Sequence, residues 1–389
     1  MDKHNNHNHK DEFYTKQILT YMGNKRKFIT IIQSIIDDIK KNLGKDQEIT
    51  IGEGFSGSGI LSRLFKNNSN TIYVNDIAGY SNTINKCYLS TLNKSQIKII
   101  HSFIDKANLF VKQVIDNNGY DTISKTHIPK FIQKYWAPKS DHIQENERVY
   151  FTSLNGKLID AYMYFILKYV PSNIRHYLLA PLLVQCSIHN NTSGQFSAFY
   201  KDKQGIGSYG GSKNIDLNRI TKPITIPYPI LSNHKCNVNI TQMDTNDWVK
   251  NIPELDLVYY DPPYNKHPYC IYYFLLDIIN NWDTTITIPQ TNRGQPKNWN
   301  KSKYCSIKYA TKTFQELIKN TPAKYILLSY NDGGIIPLQK IQEILTKYGN
   351  VSTIPVDHKT YNKMKGIANY KRKNENVQVK EFLWLLKKV

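Results

Sequence analysis

The length and charge of the chain limit the kinds of protein it can be. Its 389 residues include 51 lysines and arginines against 31 aspartates and glutamates, a formal net charge of +20 at pH 7. An excess of this size attracts polyanions, which favours nucleic acid or an anionic surface as a partner. No apolar run approaches the roughly 20 residues that a membrane-spanning helix needs, so we expect a soluble protein without membrane contact.

The first residues and the cysteines bear on compartment and metal binding. Residues 1–12 are polar and rich in Asn and His, without the apolar core of a secretory signal. We therefore expect a disordered arm and a cytoplasmic protein. The five cysteines are scattered and form no Cys-x-x-Cys pair, which disfavours both a disulfide framework and a zinc site. We predict no metal centre.

Hydrophobic patterns predict alternating helices and strands near both ends of the chain. Apolar residues at three- and four-residue spacing predict an amphipathic helix over 28–39. Short β-like runs at 48–51 and 71–74 flank a glycine-rich turn and a second helix, which together predict a βαβ unit. Later apolar runs predict further strands over 255–260, 324–330 and 381–386.

The alternation stops between residues 80 and 234, which is roughly the length of a typical domain. This stretch is polar and largely helical in pattern. We therefore predict a discontinuous domain of residues 13–79 and 235–389, built on an open, mostly parallel sheet with helices on both faces. Residues 80–234 form an inserted, largely helical domain in this interpretation.

A glycine-rich turn follows the first predicted strand. Gly54, Gly57 and Gly59 lie where a strand passes into a helix, so the backbone there can approach a ligand closely and offer amide donors. An ordinary tight turn fits the glycines alone equally well. Asp76, about 20 residues further on at the end of the second strand, is placed to bond a ribose hydroxyl. The sequence therefore indicates a nucleotide-type site.

The segment Asp261-Pro-Pro-Tyr264 is more specific. Two prolines after a buried strand fix the backbone and remove two N–H donors. The carboxylate of Asp261 and the carbonyl of Pro262 can then accept both hydrogens of one amino group, while Tyr264 offers an aromatic face. Activation of an adenine amino group would require such an arrangement. A rigid surface turn is the simpler alternative.

These segments resemble the Dam-type alpha group of N6-adenine DNA methyltransferases. The chain has Tyr21-x-Gly23-x-Lys25, Phe55-x-Gly57-x-Gly59, a long insertion and Asp261-Pro-Pro-Tyr264 in that family's order. The resemblance implies a Rossmann-like S-adenosylmethionine-dependent methyltransferase fold and a target-recognition role for the insertion. It assigns catalysis to Asp261, Pro262, Pro263 and Tyr264. It places at the cofactor Tyr21, Gly23, Lys25, Glu53, Phe55, Gly57, Gly59, Asp76 and Asp244, with Asp247 as the alternative to Asp244.

Basic and polar segments are candidates for DNA contact. Arg26 follows the first motif, and the resemblance places Asn191, Thr192 and Lys201 on the DNA side of the insertion. A structural role fits these three residues equally well. Near the C-terminus, Tyr361 and Lys363 belong to a basic stretch suited to phosphates, although a solvated charged face fits the same pattern.

The resemblance also implies substrate and partners. The substrate would be double-stranded DNA with the target adenine flipped out of the stack, and a cognate restriction endonuclease could act as a separate protein. A monomer is expected. RNA adenine or protein glutamine amides are alternative substrates for the same chemistry. A DNA-binding subunit without catalytic activity is the alternative from another class.

Overall fold

A seven-stranded sheet forms the framework of the protein. The computed structural model describes residues 13–14, 18–45, 49–116, 128–297, 301–356 and 380–389. The strands are β1 (Ile49–Glu53), β2 (Ser69–Asn75), β3 (Asn237–Thr241), β4 (Leu255–Tyr260), β5 (Ala323–Asn331), β6 (Gly349–Val356) and β7 (Glu381–Lys388). Their order across the sheet is β3-β2-β1-β4-β5-β7-β6. Strands β1 to β5 are parallel, and β7 runs antiparallel to both β5 and β6.

Helices account for most of the remaining described chain. The α-helices are Ile29–Asn42, Ile60–Asn68, Gly79–Tyr88, Lys94–Asp116, Ile132–Trp136, Ser153–Tyr169, His176–Ile188, Leu217–Thr221, Thr245–Trp248, Tyr269–Asn281, Ala310–Asn320 and Leu338–Thr346. Short 3₁₀ helices occupy Lys25–Phe28, Ser172–Ile174, Gly211–Lys213 and Lys303–Cys305. Within the described ranges, no helix combines the length and apolar character needed to cross a membrane.

The predicted α/β architecture is confirmed, with two additional strands. All five predicted strands are present, and the first helix runs from Ile29 to Asn42 after one 3₁₀ turn. Strands β3 and β6 were not predicted from the sequence. They are the two edge strands of the sheet. An edge strand can remain partly exposed, so neither one needs the continuous apolar run that marks β4.

The chain divides into two compact units. The sheet unit comprises Lys25–Asn82, His234–Tyr269 and Asn300–Val389, and the helical unit comprises Met1–Asn24, Thr83–Asn233 and Cys270–Trp299. The helical unit therefore extends beyond the predicted insertion of residues 80–234. Hydrogen bonds connect segment 270–299 to the rest of this unit. The amide of Phe196 donates to the carbonyl of Tyr272 at 2.8 Å. Arg148 donates similarly to the carbonyls of Pro289 and Thr291.

The core of the sheet unit lies around β4, β5 and β7. Every residue of β4 is buried, which agrees with a strand in the middle of a parallel sheet. Helices Ala310–Asn320 and Leu338–Thr346 pack their apolar residues, including Phe314 and Ile341, into the same cluster. This burial fixes the strand ends from which the polar residues of the site project.

In the helical unit, a buried carboxylate fixes the start of one helix. Asp160 is completely buried and accepts hydrogen bonds from the amides of Phe131, Ile132 and Gln133 at 3.1, 2.7 and 3.2 Å. These amides belong to the first turn of helix Ile132–Trp136, where no intrahelical acceptor is available. A negative charge there also complements the helix dipole. Asp160 is therefore part of the scaffold.

Replacing Asp160 by alanine should destabilise the helical unit. Three buried amides would lose their acceptor, which we expect to lower the free energy of unfolding by about 3 kcal/mol. Urea denaturation followed by circular dichroism measures this change. Asp38→Ala, which removes an exposed carboxylate from another helix, is the control and should change stability by less than about 0.5 kcal/mol. Equal effects of the two substitutions would contradict the structural role of Asp160.

Candidate active site

The parallel strands of the sheet unit bring acidic residues to one edge. Glu53 ends β1, Asp76 directly follows β2 and Asp261 directly follows β4. Strand β1 pairs in parallel with β2 on one side and with β4 on the other. The chain order therefore reverses between β1 and β4, and ligands of open α/β sheets bind at such a switch point beyond the carboxyl ends.

The glycine loop after β1 is fixed by Asp76. Gly57 and Gly59 have φ values of +50° and +71°, a region that glycine adopts without steric cost. The amide of Gly57 donates to Asp76 Oδ2 at 2.7 Å, and the amide of Ala78 donates to Oδ1 at 2.9 Å. Burial raises the pKa of Asp76, and these amide bonds act in the opposite direction. Asp76 thus orders the loop at the start of helix Ile60–Asn68.

Close packing explains the first glycine of this loop. A Cβ atom on Gly54 would lie 2.6 Å from the ring of Tyr260 and 2.8 Å from the side chain of Thr245. The hydroxyl of Thr245 also donates to the Gly54 carbonyl at 2.9 Å. Gly54 is therefore needed for the contact between the loop and its neighbours in the sheet unit.

Glu53 is a buried carboxyl group at the base of the loop. It is 3% exposed and accepts a hydrogen bond from the hydroxyl of Ser62. Burial raises its pKa well above the usual value, and the nearby charges of Asp76 and Asp261 add to the rise. These effects favour the protonated form of Glu53.

Asp261 shares a buried cation with a second carboxylate. Lys25 Nζ lies 2.9 Å from Asp261 Oδ2 and 2.9 Å from Glu381 Oε1. Burial alone would lower the pKa of Lys25, but the two carboxylates hold it well above its usual value. Burial raises the pKa of Asp261 to about 6, against the influence of Lys25. Asp261 Oδ1 is buried and has no hydrogen-bond partner among the described residues.

Tyr264 is held inside the sheet unit. Its backbone carbonyl accepts from the amide of Ile335 at 3.0 Å, and its ring packs edge-on against Tyr330 with centroids 5.7 Å apart. Pro262 is buried and Pro263 is half-buried. Tyr264 is 9% exposed, so the ring offers little surface for stacking in this conformation.

The candidate residues after β3 have different surroundings. Asp244 Oδ1 accepts from the amide of Asn246 at 2.9 Å and caps helix Thr245–Trp248. Asp247 is exposed and pairs with Lys250 at 2.8 Å, which lowers the pKa of Asp247. Asp244 directly precedes this helix, close to the carboxyl end of β3. It is therefore better placed than Asp247 to contact a ligand bound at the glycine loop.

Phe55 lies beside aromatic residues of the sheet unit. Its ring centroid is 5.2 Å from that of Tyr304 in an edge-to-face arrangement. The hydroxyl of Tyr304 donates to Asn246 Oδ1 at 2.6 Å, which connects this aromatic pair to the segment after Asp244. The sequence patterns did not indicate Tyr304, because it lies in a short polar segment without a motif.

Tyr21 and Gly23 belong to the helical unit. The ring of Tyr21 stacks on Tyr273 with centroids 4.7 Å apart and an interplanar angle of 15°. The Tyr273 hydroxyl accepts from the amide of Met22 at 2.7 Å, and Gly23 has a φ of +74°. The segment before Lys25 is therefore fixed by helix Tyr269–Asn281. Arg26 is exposed in the 3₁₀ turn that follows.

The candidate DNA residues of the insertion separate into buried and exposed groups. Asn191 and Thr192 are completely buried. Asn191 Nδ2 donates to the carbonyls of Val149 and Ser208, and its Oδ1 accepts from the amide of Gly210. These bonds place Asn191 in the scaffold of the loop, and the bond of Thr192 Oγ1 to Asn190 Oδ1 does the same for Thr192.

Lys201 is the exposed member of that group. Its ammonium lies 5.4 Å from the ring centroid of Phe199, and its backbone forms a bridge with Gly207. The side chain is therefore available to an anionic partner. Tyr361 and Lys363 lie outside the described residues.

Comparison with known proteins agrees with this geometry. A family model described as D12 class N6 adenine-specific DNA methyltransferase matches residues 21–333. The match includes the segments at Lys25, Gly57 and Asp261. The chain belongs to the D12 class of N6-adenine-specific DNA methyltransferases. The resemblance stated from the sequence motifs is confirmed.

Named relatives of this D12-class methyltransferase cover nearly all of it. The type II methyltransferase M.NlaIII of Neisseria lactamica is 26% identical over 375 residues, 95% of this chain and 99% of the relative. M.CviAII of Paramecium bursaria Chlorella virus 1 is 24% identical over 348 residues, with 88% and 92% covered. M.FokI of Planomicrobium okeanokoites is 25% identical over 377 residues. The match to M.FokI covers 95% of this chain but only 53% of that protein.

The motif patterns of the methyltransferase did not indicate Glu381. Residues 381–386 were predicted only as a strand. Because β7 runs antiparallel to β5, its first residue lies beside the last residue of β5, and Glu381 pairs with Asn331. An acidic residue at the start of the last predicted strand could have indicated a site residue. That inference requires the direction of the strand, which the sequence does not show.

Replacing Asp76 by alanine should loosen the glycine loop of the methyltransferase. The amides of Gly57 and Ala78 would lose charge-assisted bonds, so we expect hydrogen exchange over residues 55–59 to accelerate by about tenfold or more. Hydrogen–deuterium exchange with mass spectrometry measures this directly. Asp247→Ala, which removes an exposed carboxylate, should leave exchange in the loop unchanged. Unchanged exchange in Asp76→Ala would show that Asp76 does not order the loop.

Proposed function

We propose that this D12-class enzyme transfers a methyl group from S-adenosylmethionine to the N6 amino group of adenine at a specific sequence in duplex DNA. The observation that carries this proposal is the buried Oδ1 of Asp261, which has no hydrogen-bond partner among the residues that the structure describes and lies next to an oxygen that Lys25 holds. The names of the relatives, type II methyltransferase and modification methylase, support a role as the modification enzyme of a restriction–modification system. We expect a monomer that acts separately from any endonuclease.

The residues at the carboxyl edge suit S-adenosylmethionine. Glu53, Asp76 and Asp261 are acidic groups at one sheet edge, and Glu53 interacts electrostatically with the other two. A cofactor that carries a sulfonium and an ammonium group is stabilised by negative charge. In this proposal Asp76 binds the ribose and Asp244 the adenine of the cofactor. The glycine loop with Phe55, Gly57 and Gly59 surrounds it. The cofactor supplies an electrophilic methyl group.

Asp261 and Pro262 prepare the amine for attack. The ionised Asp261 Oδ1 and the Pro262 carbonyl accept the two amino hydrogens, which localises the lone pair on nitrogen. As the nitrogen becomes positively charged in the transition state, the Asp261 carboxylate stabilises that charge. A proton leaves the nitrogen after transfer. Lys25 orients the carboxylate through Oδ2, so that Oδ1 is the oxygen presented to the amine.

The target adenine must leave the DNA duplex to reach Asp261. Extrusion costs a few kcal/mol, which stacking and hydrogen bonds in the pocket offset. We propose that Tyr264 stacks on the extruded base. Because its ring is 9% exposed and packs on Tyr330, stacking requires the ring to turn outward when DNA binds.

Positive charge on both units supports DNA as the partner. Exposed Arg26 and Lys201 are proposed phosphate contacts, and Tyr361 with Lys363 are proposed as further contacts from the C-terminal basic stretch. Asn191 and Thr192 support the recognition loop from inside. Sequence readout then comes from the exposed side chains that this scaffold presents.

Transfer of a labelled methyl group tests this function. Purified protein would be incubated with labelled S-adenosylmethionine and either a long mixed-sequence DNA duplex or RNA of the same sequence. We expect label in DNA adenine at one sequence, identified by mapping the modified sites. Label confined to RNA would contradict the proposed substrate. Duplex binding without any label would identify the chain as a DNA-binding subunit without catalytic activity.

Replacing Asp261 by asparagine should abolish turnover. Asparagine keeps the size of the side chain but removes the charge that stabilises the positive nitrogen, so we expect kcat to fall about a thousandfold. S-Adenosylmethionine affinity, measured by calorimetry, should change less than about tenfold. Asp247→Asn serves as the matched control, since it removes an exposed aspartate near the same edge, and it should keep wild-type kcat. Substantial turnover by Asp261→Asn would refute the assignment.

The pH dependence of kcat should follow the ionisation of Asp261. Only the carboxylate accepts the amino hydrogens, and burial raises the pKa of this group to about 6. We therefore expect kcat to be constant above about pH 7 and to fall with decreasing pH below about 6. Single-turnover methyl transfer under saturating cofactor gives this profile, and circular dichroism at each pH confirms that the protein is folded. A profile that remains flat down to pH 4.5 would contradict the proposed role.

A further inference from the structure

A buried carboxylate and a partly buried one share one ammonium group in the sheet unit. Lys25 Nζ lies 2.9 Å from both Asp261 Oδ2 and Glu381 Oε1. The side chains of Lys25, Asp261 and Glu381 are 4%, 19% and 5% exposed. With all three groups ionised, one positive and two negative charges leave a net charge of −1. The arrangement is thus a cation divided between two acceptors.

The position of Glu381 is imposed by strand β7. Glu381 pairs with Asn331, the last residue of β5. The amide of Asp332 donates to the carbonyl of Lys380 at 3.2 Å, and the amide of Lys380 donates to Asp332 Oδ1 at 3.0 Å. These bonds fix the start of β7 at the carboxyl edge of β5, beside the end of β4 where Asp261 lies. The carboxylate of Glu381 therefore reaches Lys25 from a rigid element.

The carboxylate of Glu381 adds to the desolvation free energy of this cluster. Burying an ion pair costs several kcal/mol per ion, and adding a like charge raises that cost. An apolar residue at position 381 would remove one of the two negative charges next to Lys25. Buried groups with unbalanced charge are common at sites that bind or stabilise a charge of the opposite sign. The proposed reaction develops positive charge on the target nitrogen.

We propose that Glu381 is a positioning residue for methyl transfer. It shares the Lys25 ammonium group with Asp261, so that Asp261 remains a strong hydrogen-bond acceptor in a site of net negative charge. This inference rests on the proposed role of Asp261. In the absence of Glu381, Lys25 would attract Asp261 more strongly, and the carboxylate would attract the amino hydrogens less strongly. Glu381 itself does not touch the reacting atoms.

Several charged or titratable groups surround Asp261, and each contributes to its proton affinity. Lys25 favours the ionised form, whereas Glu381 favours the protonated form. The remaining groups with an electrostatic interaction with Asp261 are Glu53, Tyr259 and Tyr264. A substitution at position 381 leaves these three side chains in place. Loss of the charge at position 381 removes one like charge from the surroundings of Asp261 and weakens the attraction of Lys25 to position 381, and both changes lower the pKa of Asp261.

The test compares Glu381→Gln with the wild type. Glutamine keeps the size of the side chain and an oxygen for Lys25 but lacks the charge. We expect the midpoint of the acidic limb of the kcat profile to move down by about one pH unit, and kcat at pH 8 to fall about tenfold. The KM for DNA should remain within about twofold. Glu343→Gln, which removes an exposed carboxylate of the sheet unit, is the matched control and should leave both quantities unchanged.

A second measurement does not depend on activity. Because the raised pKa of Asp261 means that the folded state binds this proton more tightly than the unfolded state, its contribution to stability is present below about pH 4 and is lost as pH rises through about 6. In Glu381→Gln this loss should occur at lower pH. Urea denaturation of both proteins between pH 4 and 7 shows the shift. Glu381→Asp keeps the charge and should keep the wild-type midpoint.

The outcomes separate the two proposals. Unchanged midpoints in both the kcat profile and the unfolding titration of Glu381→Gln would overturn the role of Glu381, as would an equal shift in Glu381→Asp. Active Asp261→Asn would refute the proposed function of Asp261, whereas the unfolding titration would still report whether Glu381 and Asp261 share Lys25. If Glu381→Gln is too unstable to purify while Glu381→Asp is folded and active, the charge is needed for folding alone and the proposal fails.

Discussion

Parallel hydrogen bonding between β1, β2 and β4 determines where the chemistry of the sheet unit can occur. In a parallel arrangement every strand ends at the same edge, so residues far apart in sequence are brought together by the pairing of their strands. Glu53, Asp76 and Asp261 meet this condition because each one ends or directly follows a strand. The glycine loop completes the edge, since the amide of Gly57 donates to Asp76. Loss of this pairing would separate all of these groups at once.

The carboxyl groups at this edge contrast with the composition of the whole chain. The protein as a whole is strongly basic, whereas Glu53, Asp76 and Asp261 are acidic side chains at neighbouring strand ends. A basic exterior attracts the phosphates of DNA, and a buried acidic site favours a cationic cofactor and a developing cationic nitrogen. The two requirements conflict if they occupy the same surface. The sheet unit separates the two requirements by placing these carboxyl groups at strand ends.

The sequence was informative where local rules decide the structure. β4 is buried throughout and is marked by an uninterrupted apolar run, and the proline pair after it fixes the backbone of Asp261 to Tyr264. The edge strands β3 and β6 lack such a run and were not predicted. Long-range pairing was equally invisible, which is why segment 270–299 was not assigned to the helical unit and why Glu381 had no predicted role. Asn191 and Thr192 have the composition of a surface loop but are buried, because their side chains satisfy backbone groups.

The position of β7 has a consequence for how the sheet assembles. β7 is the last strand along the described chain but lies between β5 and β6. β6 has no hydrogen-bonded neighbour in the sheet until β7 is in place, although it comes earlier in sequence. The sheet therefore cannot grow strand by strand in the order of synthesis, and loop closure over long separations makes such pairing slow. Until β7 inserts, β5 is an open apolar edge strand that can pair with other chains. The protein is therefore most prone to aggregation before β7 has been added to the sheet.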